Sequence, residues 1–133
     1  MQPAHRAHRP IPTFVPLAHK PDAKVWTAVE FEHGQKGAYG FSTRERCAEF
    51  IQRLQLDLDQ HRVTSLDHEN LIGWLESCMK AGLEVLIIDD DHEEPAVWAA
   101  EIRDVLDALL RVRDEDFERG RAEVVCEQWD CVD

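Results

Sequence analysis

The sequence predicts a mixed α/β (α+β) fold: a small mixed sheet covered by helices. Three observations lead there. Segments rich in β-branched and aromatic residues alternate with segments whose apolar residues recur at helical spacing, in the order β-β-α-β-α-β-α with a further candidate strand near the C-terminus. The stretch "LEVLII" at 83–88 has no charge after Glu84 and reads as a strand from the middle of a sheet, covered on both faces. Finally, 133 residues with 44% apolar and 32% charged composition suit one domain that buries a core without metal or disulfide support.

Residues 1–24 hold Pro3, Pro10, Pro12, Pro16 and Pro21, five of the six prolines, with little hydrophobic periodicity. They read as an extended, Pro-rich basic arm, with "IPTFVPL" lying against the domain. His5 and His8 in "HRAHR" belong to this solvated arm rather than to a metal pair. A single acidic α/β domain is expected over 25–125, followed by an acidic tail over 126–133.

Within the domain, "VWTAVEF" and "AYGF" read as two strands of a hairpin whose turn, "HGQKG", is marked by its glycines. Ser42, followed three residues later by Glu45, has the pattern of a capping box, and Cys47, Phe50, Ile51, Leu54 and Leu58 continue at helical spacing. "HRVTSL" is a short strand. Ser65 or Asp67 caps the next helix, which carries Leu71, Ile72, Leu75, Cys78 and Met79 on one face and stops at Gly82. After the central strand, Pro95 suits a helix first turn, and Val97, Trp98, Ile102, Val105, Leu106, Leu109 and Leu110 predict a helix of about four turns. Gly120 ends it, and "RAEVVCE" is the candidate last strand.

The four cysteines, Cys47, Cys78, Cys126 and Cys131, form no CxxC pair and no regular framework, so they read as reduced core residues, with Cys126 and Cys131 able to pair on oxidation. No apolar run approaches the roughly 20 residues that span a bilayer, and "MQPAHRAHRPIPTF" lacks the apolar centre of a secretory signal, so a cytoplasmic protein is expected. Charge is the strongest compositional signal. Arg6, Arg9, Lys20 and Lys24 against Asp22 give residues 1–24 a charge of +3, which leaves −12 − 3 = −15 on the remaining 109. Such a surface repels nucleic-acid phosphates and anionic membranes and attracts a basic protein.

The end of the central strand concentrates that charge: "VLIIDDDHEEP" places Asp89, Asp90, Asp91, Glu93 and Glu94 within six positions. Adjacent acids at a strand end occur in receiver domains, but the 42 residues after Asp91 are too few for the rest of that fold. A Walker B strand would need a preceding GxxxxGK[ST] loop, which the sequence lacks. It likewise lacks GxSxG, HExxH and any Cys/His pair at recognisable spacing, so no catalytic residue, cofactor or metal ligand set is assigned. Asp89, Asp90, Asp91, Glu93 and Glu94 are instead candidate contacts for a basic partner, joined by Asp114, Glu115 and Asp116 and by Trp129 in the acidic tail. Trp26 and Trp98 read as core, and Trp74 as partly exposed. The alternative is a metal-dependent enzyme or metal-binding regulator that uses the 89–94 carboxylates with His92 as a further ligand or base.

"KGAYGFSTRERCAEFIQRL", followed by "SLDHENLIGWLESCMKAGLEVLIIDDD" and a helix, resembles the N-terminal domain of the SseB family (enhanced serine sensitivity protein B) over about residues 25–110. The matching features are Phe41 running into a helix opened by Ser42, Thr43 and Glu45, and a later helix with Leu71 and Leu75 leading through Gly82 to a central strand. The sequence departs from the family where Asp89, Asp90 and Asp91 replace an Asn-Pro-like turn. The resemblance implies a small mixed α/β domain without catalytic residues, of a kind found near secretion and toxin-immunity systems. Barstar-like nuclease inhibitors are similar in topology, and are also small and acidic. Charge and resemblance together lead to the expectation of a non-catalytic acidic binding protein: an immunity protein or inhibitor of a basic bacterial or phage effector, or, as a variant, a DNA mimic acting on a nucleic-acid enzyme.

Overall fold

The computed structural model of the chain describes residues 6–18, 28–30, 35–53, 61–89 and 96–130. Among the described residues twelve elements follow one another: β1 (Arg6–Pro10), β2 (Phe14–Ala18), β3 (Ala28–Glu30), β4 (Lys36–Gly40), α1 (Arg44–Arg53), β5 (His61–Ser65), α2 (His68–Lys80), β6 (Val85–Ile88), β7 (Ala96–Glu101), α3 (Ile102–Arg111), α4 (Asp114–Glu118) and β8 (Glu123–Asp130). A six-stranded sheet has the order β1-β8-β7-β6-β4-β3, and β2 pairs with β5 in a second, two-stranded sheet. β4 and β6 run parallel, while the other paired strands are antiparallel, so the sheet is mixed as the sequence predicts. A parallel pair cannot be closed by a tight turn. The chain between β4 and β6 accordingly carries α1, β5 and α2.

β6 is interior to the sheet and buried on both faces. Leu86 and Ile88 lie in the larger core, while Ile87, directed to the other face, is only 2% exposed. The larger core is closed by apolar residues of α2 (Leu71, Leu75, Cys78), α3 (Ile102, Val105, Leu109) and Phe117 of α4. A smaller cluster forms where Phe41, Cys47, Phe50 and Ile51 meet Phe14, Tyr39 and Val63, with Phe50 4.5 Å from Tyr39 and 5.1 Å from Phe41 between ring centroids. The predicted hairpin is present as β3 against β4. Leu54, Leu58 and Trp26 lie outside the described residues.

Three expectations are corrected. Residues 6–10 are not a solvated arm, because β1 pairs along its whole length with β8, and "IPTFVPL", expected to lie against the domain, is built into it: β2 pairs with β5, and Ile11 and Val15 are buried core residues. The prolines conceal this because each removes a backbone donor, yet the end of an edge strand and a two-stranded sheet tolerate that loss. Pro10 closes β1, and the ring of Pro12 lies so near β4 that a Cβ on Gly40 would stand 2.7 Å from its Cγ. Likewise, residues 126–130 are not a tail, because they complete β8 between β1 and β7.

The third correction concerns the helix expected from Pro95. Residues 96–101 form β7, and the helix starts at Ile102, whose N–H donates to the Glu84 carbonyl at 2.9 Å. "AVWAAE" has a helix-favouring composition, but its residues alternate between the two faces of the sheet, and pairing with β6 and β8 overrides propensity. The shift in start also moves the stripe. Ile102, Val105 and Leu109 point inward, whereas Leu110 is 69% exposed.

Cys47, Cys78 and Cys126 are free and buried. Burial pushes the thiols of Cys47 and Cys78 up to about 12 and that of Cys126 up to about 11, against smaller opposing effects of Arg44 on Cys47 and Arg9 on Cys126. Among the described residues, no helix is long and apolar enough to cross a membrane.

Candidate functional site

The parallel register sets Gly40 beside Ile88, so β4 and β6 end together. Asp89 follows Ile88 with φ of 52°, a left-handed conformation that aspartate tolerates better than most side chains. Its N–H donates to the Gly40 carbonyl at 2.9 Å. The chain from β4 continues through Phe41 to Ser42, just before α1. Thr43, not Ser42, caps that helix: its Oγ1 accepts the Arg46 N–H at 3.2 Å. The cap is therefore one residue later than expected from Ser42 and Glu45, and with Arg46 at the third helical position the expected capping box is not formed, which leaves Ser42 to face Asp89.

Ser42 donates twice to that carboxylate, from its backbone N–H to Oδ1 and from its hydroxyl to Oδ2, both at 2.7 Å. Arg9 Nη2 lies 3.8 Å and Arg46 Nη1 4.0 Å from Oδ2. The guanidinium of Arg9 also covers the Trp98 ring, 5.4 Å from its centroid, and its Nε is buried with no hydrogen-bond partner among the described residues. With only 3% of its side chain exposed, Asp89 is the buried acid among the described residues. A carboxylate this deep is tolerated because two hydrogen bonds and two nearby cations compensate it.

Asp89, a candidate contact for a basic partner from its sequence position, is instead turned inward by the structure. Its chemistry is that of a clamp between β6 and the entry to α1. The serine hydroxyl is already committed to a carboxylate, and no histidine bonds to either residue among the described residues. Asp90, Asp91, His92, Glu93 and Glu94 lie outside the described residues. Among those described, no group of three or more His, Cys, Asp or Glu side chains is arranged to hold a metal ion.

The other predicted acids, Asp114, Glu115 and Asp116, form the first turn of α4, where negative charge suits the helix dipole. Asp114 meets Nδ1 of His68, the first residue of α2, and Asp116 lies 3.7 Å from Arg121. Glu115 is exposed. Arg111, Arg113, Arg119 and Arg121 are interspersed with Asp114, Glu115, Asp116, Glu118 and Glu123 in this part of the chain, so its charge is nearly balanced. Trp129 belongs to β8, opposite Val97.

His68 was missed by sequence reasoning. Its Nε2 lies 2.6 Å from the Leu109 carbonyl, and its ring stacks on Phe117 with centroids 5.0 Å apart. The hydrogen bond to Asp114 is the main cause that raises its pKa above 6.5, with the Leu109 carbonyl and the charges of Asp114 and Asp67 adding to it against burial. Its partners lie 41 and 46 positions away, so no local pattern could announce it. Arg9 was missed for the same reason.

Compared with known proteins, the chain matches no family model and no curated sequence.

Proposed function

We propose that this chain is a non-catalytic, acidic protein-binding module of the cytoplasm, related to the SseB family, that acts as an immunity protein or inhibitor of a basic effector or nucleic-acid enzyme of bacterial or phage origin. The observation that carries the proposal is where the negative charge resides. The formal charge is −12, and among the described side chains every acid except Asp89 reaches solvent. Charge spent on a surface rather than in a buried cluster attracts a basic partner and speeds encounter with it. Asp90, Asp91, Glu93 and Glu94 are the proposed principal contacts, with Trp129 as an apolar anchor and Glu115 as a secondary contact, flanked by Asp114 and Asp116, which already meet His68 and Arg121. Asp89 supports the contact by fixing the strand end after which the acids follow in sequence.

The test is co-purification of the tagged full chain with basic proteins of its source cell at low salt, repeated with Asp90, Asp91, Glu93 and Glu94 changed to Asn or Gln. The proposal expects a partner whose activity the wild-type chain inhibits, with capture and inhibition lost together in the variant. Calorimetry with Mg²⁺, Mn²⁺, Ca²⁺ and Zn²⁺ supplies the opposing result: tight, stoichiometric binding abolished by Asp90→Asn would replace this reading with a metal-dependent one.

A further inference from the structure

We propose that His68 is a pH-dependent latch that holds the acidic first turn of α4 against α2 and α3. Three elements meet on one ring. His68 opens α2, its Nδ1 faces the Asp114 carboxylate of α4, its Nε2 lies 2.6 Å from the Leu109 carbonyl of α3, and its face stacks at 20° on Phe117. A carboxylate and a backbone carbonyl both accept hydrogen bonds and have no proton to give. A neutral imidazole carries one N–H and can satisfy one of them, leaving a ring lone pair against an oxygen at the other. The imidazolium satisfies both, so the site is built for the charged ring.

The surrounding charges agree with that state. Asp114 acts on the ring from α4 and Asp67 from the cap of its own helix, while α3 presents the Leu109 carbonyl and Phe117 an uncharged face. The charges that act on His68 are thus both negative. α4 has five residues, too few to hold itself together, and its fixed points are Phe117 in the core, the Asp116 and Arg121 pair, and His68 at its N-terminal end. Deprotonation releases that end and leaves Phe117 in place.

Because the folded-state pKa of His68 is raised above 6.5, the latch is closed below that pH and opens as pH rises through the raised value. Opening frees the carboxylate of Asp114. If the α4 acids contact a basic partner as proposed above, the latch makes that patch sensitive to pH near neutrality, but the latch itself does not rest on that reading.

The experiment needs no partner. Hydrogen-exchange protection of the amides of Phe117 in α4 and of Arg119 and Gly120 in the turn that closes it, all hydrogen-bonded to backbone carbonyls of this segment, is followed by NMR on the full chain between about pH 5.5 and 8.5, the range a histidine covers, alongside titration of the His68 ring. Protection should fall about tenfold across the His68 titration, the size of one charge-assisted hydrogen bond. In His68→Gln it should stay level at the wild-type high-pH value. Asp114→Asn should lower the His68 midpoint and weaken the pH dependence, which keeps the test available should His68→Gln fold poorly. Protection that stays flat while His68 titrates, or a fall of the same size in His68→Gln, overturns the proposal.

Discussion

Ser42 and Asp89 are joined twice across 47 positions of sequence: the backbone N–H of Ser42 donates to Asp89 Oδ1 and its hydroxyl to Oδ2, each at 2.7 Å. The contact ties the end of β6 to the entry of α1 and follows from the parallel register of β4 and β6. It also changes what an acid at this strand end does. Asp90 and Asp91 carry the binding proposal, whereas Asp89 holds the fold.

Asp89→Ala should therefore destabilise the chain by about 2 to 4 kcal/mol, since it removes both acceptors for Ser42 and leaves Arg9 half-buried without its countercharge. Ser42→Ala removes one bond and should cost about 1 kcal/mol. Neutralising Asp90 and Asp91 together, with Asp89 intact, should leave stability within about 0.5 kcal/mol, the effect the binding proposal requires of contacts that take no part in the core. Urea denaturation of the three variants checks the order, and equal losses for Asp89→Ala and the Asp90, Asp91 pair would contradict the clamp.

Gly40→Ala should cost about 1 to 3 kcal/mol, because the new Cβ would stand 2.7 Å from a proline ring that cannot rotate away. Pro12→Gly removes that ring. In a double-mutant cycle the cost of Gly40→Ala should shrink markedly in the Pro12→Gly background, and purely additive effects would show that the crowding lies elsewhere.

Deleting residues 1–20 should destabilise the domain by at least about 3 kcal/mol, since it strips β1 from β8 and removes Ile11 and Val15 from the core. Thermal and urea melts of the truncated chain give the answer. A truncated domain as stable as the full chain would mean that β1 and β2 add nothing.

On the central strand, Leu86→Ser and Ile87→Ser should each cost roughly 3 kcal/mol or more, because both faces are buried and a hydroxyl gains no partner there. One variant near neutral would show an open face.

The buried thiols of Cys47, Cys78 and Cys126, two pushed up to about 12 and one to about 11, should resist alkylation at pH 8 in a Cys131→Ser chain. All three should react once the chain is unfolded in denaturant. Fast native labelling of any of them would show that the core opens readily.

What the sequence determined by itself was what local chemistry controls. The β-branched run at 85–88 predicts a strand covered on both faces, the spacing of Leu71, Leu75 and Cys78 predicts a buried helix face, Asp67 caps that helix through the Asn70 N–H at 2.8 Å, and alternation of elements predicts a mixed sheet. Tertiary pairing decided the rest. Whether "AVWAAE" becomes helix or strand depends on β6 and β8 offering partners on both sides, and whether a proline-rich start stays outside the fold depends on β8 and β5 offering edges. The same holds for the sites. Sequence located the acids, but the burial of Asp89 and the raised pKa of His68 depend on atoms 47 and 46 positions away, brought close by a parallel register and a three-helix junction. A hydrogen bond needs its partner within about 3 Å, and only the folded chain sets that distance.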